Sequence, residues 1–303
     1  MSAVLHVVQG MQGGMLTHLR TLLAGLAERG VACAVAGPAG LWPGLGSQPS
    51  VPLAAGSVRS LAALRRAVAL RQPGLVHAHG LRASVLAAAA LAALRPSRRC
   101  PLVCSIHGPL PPAGSPWRRP WHTAAVRWAL ERADAVLAVS RSLSGELSAW
   151  LGPWAAAPQR VTVVPNGVLL SGGAGCGCSR CARLSGRRRA GASCPVATCM
   201  ARLVPVKGVD LLLEAAVRVA PGVPLRVWVA GDGPQRAELA RQARRLGLAG
   251  RLRFLGACSH PAAVWARSDL AVLPSRAEGL PYAALEAMAW GRAVVAFAVG
   301  GLV

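Results

Sequence analysis

The sequence has few acidic residues, few aromatic residues and a single lysine, Lys207. Its 11 Asp and Glu stand against 34 Lys and Arg, so arginine supplies nearly all of the formal net charge of +23. An arginine bias this uniform is also expected from genome base composition. No nucleic-acid-binding motif accompanies it, which argues against a nucleic-acid partner. The charge favours an anionic membrane surface or an anionic substrate instead.

A long hydrophobic run and a secretory signal are also missing from the sequence. The longest apolar run, residues 83–94, is too short to span a bilayer and predicts a buried helix. Residues 1–10 read as a strand and lack the basic segment that opens a signal peptide. Nine cysteines in a chain without an export signal favour a reduced, cytoplasmic setting.

Short apolar runs alternate with helical patterns along most of the chain. The runs predict strands at residues 4–8, 31–36, 75–78, 102–106, 135–139, 161–164, 196–201, 225–230, 252–255, 270–273 and 293–299. Helices are predicted at residues 16–29, 61–70, 83–94, 124–133, 209–219, 235–246 and 282–290. This alternation predicts an α/β protein with two Rossmann-like, doubly wound domains, each a parallel sheet covered by helices on both faces.

Residues 169–195 interrupt the alternation, because they are rich in Gly, Arg and Cys and lack apolar periodicity. We therefore expect an N-terminal domain at 1–168, a linker or insertion at 169–195 and a C-terminal domain at 196–303. The sequence ends directly after a predicted strand and a Gly-Gly pair, where a parallel sheet normally continues into a helix. The second domain is therefore expected to be incomplete.

The cysteines of this interrupting segment allow two interpretations. Cys176, Cys178 and Cys181 could supply three thiolates to a zinc ion, with Cys194 or Cys199 as the fourth ligand. Their spacing is not a pair of Cys-x-x-Cys knuckles, so an insertion without a metal is favoured.

The strongest motif is the segment from Glu278 to Glu286. Glu278 follows the predicted strand at 270–273, in the loop position where α/β proteins bind ligands, and Glu286 lies about two turns further along, in the first turns of a helix. The free backbone N–H groups at the start of that helix suit a diphosphate. Taken alone, two such acids are more often ordinary surface charges.

A second motif, Arg202 to Lys207, ends the first predicted strand of the second domain. Guanidinium and ammonium groups at the carboxyl end of a strand can reach phosphate oxygens, although a solvated basic turn is the plainer interpretation. The placement of the sole lysine in this turn indicates that arginine does not replace it there.

A third group of residues lies in the first domain. The glycines of segment 10–14, including Gly13 and Gly14, follow the first strand and let the backbone approach a ligand. Their spacing is not G-x-G-x-x-G, and no acidic residue closes the second strand, which argues against NAD. His107 follows the predicted strand at 102–106 and could contact a sugar hydroxyl or stabilise charge, or be an ordinary loop histidine. His77 and His79, at a similar strand end, receive no role.

Together these motifs resemble the retaining glycosyltransferases of family four, over nearly the whole chain. The residues that carry the resemblance are Gly13, Gly14 and His18, His107, the 164–168 turn, Arg202, Lys207 and Gly208, the 231–234 turn, and Glu278 through Glu286 followed by 287–289. The resemblance implies the GT-B fold, in which two Rossmann-like domains face each other across a cleft and the second domain binds a nucleotide sugar.

The resemblance also implies roles for individual residues. Arg202 and Lys207 would hold the diphosphate and stabilise the leaving group in place of a metal ion, and Glu286 would bind the ribose. Glu278 and the backbone of Gly279, Leu280 and Pro281 would contact the donor sugar and phosphates. His107 would approach the sugar from the first domain, and Gly13 and Gly14 would let the first loop close over the donor. No metal and no cofactor are expected.

The expected activity is the transfer of a sugar, with retention, from a donor such as a UDP- or GDP-sugar to a saccharide or lipid-linked acceptor. An inactive protein of this fold that only binds nucleotide or carbohydrate, and a nucleotide-sugar epimerase, remain alternatives. Membrane contact is a further expectation. Tryptophan and arginine alternate at Trp117, Arg118, Arg119, Trp121, Arg127, Trp128 and Arg132, as in interfacial helices, which predicts peripheral binding to the inner face of the membrane. The alternative is an ordinary helix packed on the sheet.

Overall fold

A computed structural model describes residues 3–10, 13–39, 48–54, 58–110, 120–156, 160–168, 194–219, 223–258 and 261–303. The chain divides into two compact units, Met1–Asn166 and Gly167–Val303. Each unit contains a parallel β-sheet with helices between its strands, as the alternation of apolar runs predicts.

The sheet of the N-terminal unit has the strand order β3-β2-β1-β4-β5-β6-β7. Its strands are β1 (Val4–Val8), β2 (Cys33–Gly37), β3 (Ser50–Pro52), β4 (Leu75–His79), β5 (Leu102–Ile106), β6 (Ala135–Ala138) and β7 (Val161–Val163). The helices between them are α1 (Gly14–Glu28), α2 (Val58–Arg71), α3 (Leu81–Ala92), α4 (Pro120–Glu131) and α5 (Arg141–Leu151). The strands are apolar on both faces because helices cover both sides of such a sheet. A polar exception, His6, is fully buried in β1.

The sheet of the C-terminal unit has the order β10-β9-β8-β11-β12. Its strands are β8 (Val196–Met200), β9 (Arg226–Ala230), β10 (Leu252–Gly256), β11 (Leu270–Leu273) and β12 (Ala293–Ala296), with helices α6 (Val209–Arg218), α7 (Arg236–Arg245), α8 (Pro261–Trp265) and α9 (Tyr282–Ala289). One core cluster joins α6 and α7 to the sheet, and a second forms around the fully buried Trp265.

The predicted strands and helices are all present, with ends shifted by a few residues, and among the described residues one strand and two α-helices were missed. The three-residue strand β3 and the five-residue helix α8 are too short for periodicity to reveal. Helix α5 begins after Ser140, whose hydroxyl accepts a hydrogen bond from the Leu143 N–H at 3.2 Å, a cap that sequence reasoning overlooked. Strand β12 ends three residues before the predicted bound and lies at one edge of the sheet order.

Two further observations bear on the sequence predictions. No helix in the described part of the chain is long and apolar enough to cross a bilayer. Cys199 is buried within β8 at 1% exposure, and burial raises the pKa of its thiol to about 12. Cys176, Cys178 and Cys181 lie outside the described residues.

Candidate functional site

Three loops of the C-terminal unit meet at the carboxyl ends of β8, β11 and β12. We call this region the charged edge and define it as residues 201–208, 274–281 and 297–301. Gly208 has a φ of +62°, and a Cβ there would collide with the carbonyl oxygen of Pro274. Gly300 meets the carbonyl oxygen of Glu278 in the same way, and the Gly301 N–H donates to the Gly279 carbonyl at 2.7 Å. Glycine is therefore required where the loops touch.

The centre of the charged edge is an ion pair between two residues that the sequence analysis treated separately. The Lys207 Nζ lies 2.5 Å from the Glu278 Oε1, although the residues are 71 positions apart. The Ser275 hydroxyl donates to the same oxygen at 2.7 Å. Glu278 is buried at 7% exposure, whereas Lys207 keeps 26%, so the ammonium is the more accessible partner. Because the carboxylate offsets its charge, Lys207 offers a phosphate less than a full positive charge.

A second ion pair fixes the same two loops from the outer side. The guanidinium of Arg276 forms a bidentate contact with Asp210, at 2.9 and 2.6 Å, and also donates to the Pro205 carbonyl at 2.8 Å. The Arg276 N–H donates to the Val206 carbonyl at 2.8 Å. These contacts hold the turn that carries Lys207 against the loop that carries Glu278. The hydrogen bond from Arg276 holds the pKa of Asp210 below its usual range.

A further predicted donor residue, Arg202, also belongs to the charged edge. Arg202 is exposed in the turn after β8, and within the described ranges it forms no ion pair. Its neighbour Leu203 connects that turn to the loop after β9, because its N–H donates to the Asp232 carbonyl at 2.9 Å. Arg202 therefore supplies an uncompensated positive charge at the carboxyl ends of the strands.

Glu286 occupies a less polar position than Glu278. It lies in α9, where the indole N–H of Trp265 donates to its Oε2 at 3.3 Å. Burial raises its carboxyl pKa, and the Trp265 hydrogen bond opposes that shift. Gly279 is buried and Leu280 half-buried in the preceding loop, and Pro281 is the N-cap of α9. The first amides of α9 therefore face the charged edge.

In the N-terminal unit, the predicted glycine loop leads directly into α1. Gly13 is the N-cap of this helix with a φ of +62°, and Gly14 is its first residue. A Cβ at Gly13 would meet no atom within 4 Å, so glycine is favoured there by backbone conformation rather than by crowding.

His107 belongs to a group of five histidines, which we call the histidine cluster: His6, His18, His77, His79 and His107. The rings contact one another in succession, with His6 Nδ1 at 3.1 Å from His79 Nε2, and His79 Nδ1 at 3.3 Å from His107 Nε2. His77 Nε2 lies 2.7 Å from the Ser105 hydroxyl. The His18 ring stands edge-on to His107, with the centroids 4.4 Å apart.

Burial sets the protonation state of the histidine cluster. It lowers the pKa of His6 and His18 to about 4, and that of His77 and His107 to about 3. The pKa of His79 is also lowered well below its ordinary value, first by burial and then by the neighbouring imidazoles. All five rings are therefore neutral at pH 7.

Sequence reasoning found His107 and matched His18 to a motif, but it gave no role to His77 and His79 and overlooked His6. A signal was available, because a histidine within an apolar strand is unusual. The strand register explains why these histidines meet, since His6 of β1 pairs with His77 of β4. Ser275 and Trp265 were also missed, and nothing in their spacing marks them.

The proposed membrane segment is only partly described. Trp117, Arg118 and Arg119 lie outside the described residues. In α4, Arg127 pairs with Glu131 at 2.7 Å and donates to the Leu151 carbonyl at 3.1 Å. The Arg132 guanidinium lies 4.4 Å from the centre of the Trp128 ring. These contacts fit an ordinary helix on the sheet, and membrane binding stays a prediction.

Two protein-family models match the chain, one in each unit. Residues 12–171 match Glycosyltransferase Family 4, and residues 194–303 match Glycosyl transferases group 1. The first match alone covers more than half of the chain. All predicted site residues lie within one match or the other.

Several curated proteins are similar over part of their length. A 2-deoxystreptamine glucosyltransferase of Streptomyces kanamyceticus is 33% identical over 190 residues, which cover 61% of this chain and 48% of that protein. A glycogen synthase of Mycobacterium tuberculosis is 31% identical over 241 residues, covering 76% and 53%. A D-inositol 3-phosphate glycosyltransferase of Rhodococcus erythropolis is 42% identical over 118 residues, covering 35% and 26%. The chain thus spans from about a quarter to about half of these relatives.

Solved structures show the same architecture. HepE of Anabaena, in complex with UDP-glucose, matches with a TM-score of 0.78 and 23% identity, covering 99% of this chain and 82% of that one. WaaG, a glycosyltransferase involved in lipopolysaccharide biosynthesis, matches with a TM-score of 0.73 and 16% identity over the same shares, 99% and 82%. At such identities the likeness establishes the fold, which is two parallel-sheet α/β domains of the GT-B type.

Proposed function

The chain belongs to glycosyltransferase family 4, and on that premise we propose that it transfers a sugar from a nucleotide-sugar donor, with retention of the anomeric configuration. The observation that supports this function best is the charged edge. There an exposed arginine, a lysine–glutamate pair and the start of a helix converge at the carboxyl ends of parallel strands, where α/β proteins bind ligands.

The charged edge suits a nucleoside diphosphate. When the bond between the anomeric carbon and the diphosphate oxygen breaks, negative charge develops on the leaving group. The Arg202 guanidinium, the Lys207 ammonium and the first amides of α9 can stabilise that charge. We assign the largest share to Arg202, because Glu278 partly neutralises Lys207. In other transferases a metal ion stabilises this charge, and here the two cationic side chains and the helix amides would do so.

The two glutamates receive different roles in the proposal. Glu286 would accept hydrogen bonds from the ribose hydroxyls. Glu278 would contact the donor sugar while it positions Lys207 at 2.5 Å, and the backbone of Gly279, Leu280 and Pro281 would complete the donor site. A buried carboxylate that holds a lysine in place restricts where the ammonium can lie, and such preorganisation lowers the cost of charge stabilisation.

In the N-terminal unit, we assign His107 to the donor sugar and the loop with Gly13 and Gly14 to closure over the donor. The neutral imidazole of His107 can donate or accept a hydrogen bond without adding charge. The acceptor is proposed to be a saccharide or a lipid-linked molecule. Peripheral contact with the inner face of an anionic membrane would bring a lipid acceptor within reach, and the tryptophan and arginine pattern of the sequence at Trp128 and Arg132 motivates that contact.

Donor binding provides the first test. Calorimetric titration with UDP, GDP, ADP and their sugars identifies the nucleotide, and the variants Arg202→Ala and Glu286→Gln are then compared with the wild type. Each is expected to weaken binding by about 10-fold to 100-fold, the value of a hydrogen bond to a charged group.

Matched controls are available in the same unit. Arg226 is exposed at the opposite, amino end of β9, and Glu238 is exposed on α7. Arg226→Ala and Glu238→Gln make the same charge changes away from the charged edge, so their donor affinity should equal that of the wild type. Equal affinity in all four variants would contradict the proposed donor site. Donor binding with no transfer to any acceptor would instead support a binding protein without activity.

A further inference from the structure

The histidine cluster places imidazole nitrogens together in a way that the proposed sugar transfer does not require. His6 of β1 and His77 of β4 are paired in register, and His79 follows two positions later, on the same face of the sheet. His107 lies beyond the end of β5, and His18 reaches the group from α1. Two overlapping triads result, His6–His77–His79 and His18–His79–His107, and within each triad the nitrogens lie within 4.8 Å of one another.

In the outer triad, His18, His79 and His107, one pair of nitrogens has the spacing of two metal ligands. His79 Nδ1 and His107 Nε2 are 3.3 Å apart. Two nitrogens bound tetrahedrally to zinc, with bonds of about 2.0–2.1 Å, stand about 3.3–3.4 Å from each other. The His18 ring approaches His107 edge-on at a centroid distance of 4.4 Å.

A metal-bound imidazole is normally oriented by a hydrogen bond at its other nitrogen. His79 has such a bond, because its Nε2 lies 3.1 Å from His6 Nδ1 while its Nδ1 faces His107. His6 Nε2 is buried without a hydrogen-bond partner among the described residues. With His79 Nδ1 on a metal ion, its proton would sit on Nε2 and be donated to His6.

Access distinguishes the two triads. His6, His77 and His79 are all buried, so an ion could reach the inner triad only if the strands opened. His18 and His107 are half-buried, so two of the three residues of the outer triad lie nearer to solvent than those of the inner triad.

We propose that His18, His79 and His107 bind one divalent transition-metal ion such as Zn²⁺, with its remaining coordination position open to water or an exchangeable ligand. The site does not depend on the transferase proposal. Its consequence does: if His107 contacts the donor sugar, a bound ion would occupy that residue and inhibit transfer.

Metal binding can be measured without any activity assay. The tag-free chain, with Cys176, Cys178 and Cys181 replaced by Ser to remove thiolate ligands, is titrated with Zn²⁺ by calorimetry and with Co²⁺ by visible absorption. We expect one ion per chain and the intense absorption of a tetrahedral cobalt site. His18→Ala should weaken binding by about 100-fold or more, since even the loss of an orienting partner costs about 10–100-fold.

Two further variants complete the test. His77→Gln alters the inner triad alone and His122→Ala removes a histidine of α4, so both should bind as the parent does. His18 is half-buried on a helix, and its alanine variant should fold even where His107→Ala does not, which circular dichroism will confirm. Less than one ion per chain, equal affinity in the parent and His18→Ala, or loss of binding in His77→Gln would each overturn the proposal.

Discussion

The histidine cluster and the charged edge lie in parallel sheets of the same kind, yet they gather polar side chains in opposite ways. In the cluster, strand register and burial bring together five imidazoles that are neutral at pH 7. At the charged edge, loops joined at glycine contacts hold a lysine and a glutamate together as an ion pair. Burial therefore favours neutral rings where the neighbouring titratable groups are imidazoles, whereas the buried carboxylate of the charged edge lies against a cation.

Lowering the pH should produce the largest difference in stability between the histidine cluster and the charged edge. Each cluster histidine has a folded pKa below its unfolded value of 6.5, so the folded state binds protons less readily than the unfolded state. The stability associated with neutral rings is present above the unfolded pKa of 6.5 and is lost as the pH falls from there towards the folded values, about 4 for His6 and His18 and about 3 for His77 and His107. Between pH 7.5 and 5.5 the loss is about 1 kcal/mol for each histidine.

The C-terminal unit should respond differently over the same range. Its Asp210 has a lowered pKa, and stability of that kind is lost only below the unfolded carboxyl pKa of 3.8. Hydrogen exchange followed by mass spectrometry reads the two units separately. We expect protection in the N-terminal unit to fall between pH 7.5 and 5.5 while the C-terminal unit changes little. Equal losses of protection in both units would contradict the proposed difference in their electrostatics.

The ion pair at the charged edge should give the next largest effect. Lys207→Ala leaves Glu278 buried without its counter-ion, and breaking a buried pair in this way costs about 3 kcal/mol. Urea unfolding of Lys207→Ala, Glu278→Gln and the double variant measures the coupling. The double variant should be less destabilised than the sum of the two single variants. Additive effects would show that the two side chains do not interact.

A smaller effect is expected at the neighbouring pair. Arg276 and Asp210 are more exposed, at 44% and 29%, and an exposed pair contributes about 1 kcal/mol or less. Arg276→Ala should therefore lower the free energy of unfolding by no more than about 1 kcal/mol, and salt should reduce the difference. A loss as large as that of Lys207→Ala would mean that position in the fold, rather than burial, sets the strength of these pairs.

The smallest expected effect concerns the membrane. If Trp128 and Arg132 contact an anionic surface, Trp128→Ala should weaken binding to vesicles of anionic lipid by a few-fold, and added salt should weaken it further. Cosedimentation with anionic and neutral vesicles measures both. Wild-type partitioning that is the same on the two kinds of vesicle would exclude an electrostatic membrane contact.

The sequence predicted the fold well because continuous apolar runs are the signature of buried parallel strands, as at Leu102–Ile106 and Leu270–Leu273. It also located Lys207 and Glu278 at strand ends. It could not predict that they pair, because that depends on β8 and β11 being neighbours and on the contact between Gly208 and Pro274. The histidine cluster could not be predicted for the same reason. His6 and His77 are 71 residues apart in the sequence, and only the pairing of β1 with β4 brings them together.

The anomeric configuration of the product tests most directly the claim that this protein transfers a sugar with retention. The protein is incubated with the nucleotide sugar that binds best, with water or a saccharide as acceptor, and the first product is observed by proton NMR before the anomers equilibrate. We predict release of the nucleoside diphosphate and a product with the donor's anomeric configuration, at a rate strongly reduced in Arg202→Ala and unchanged in Arg226→Ala. A product of inverted configuration, or equal rates in the two variants, would contradict the account.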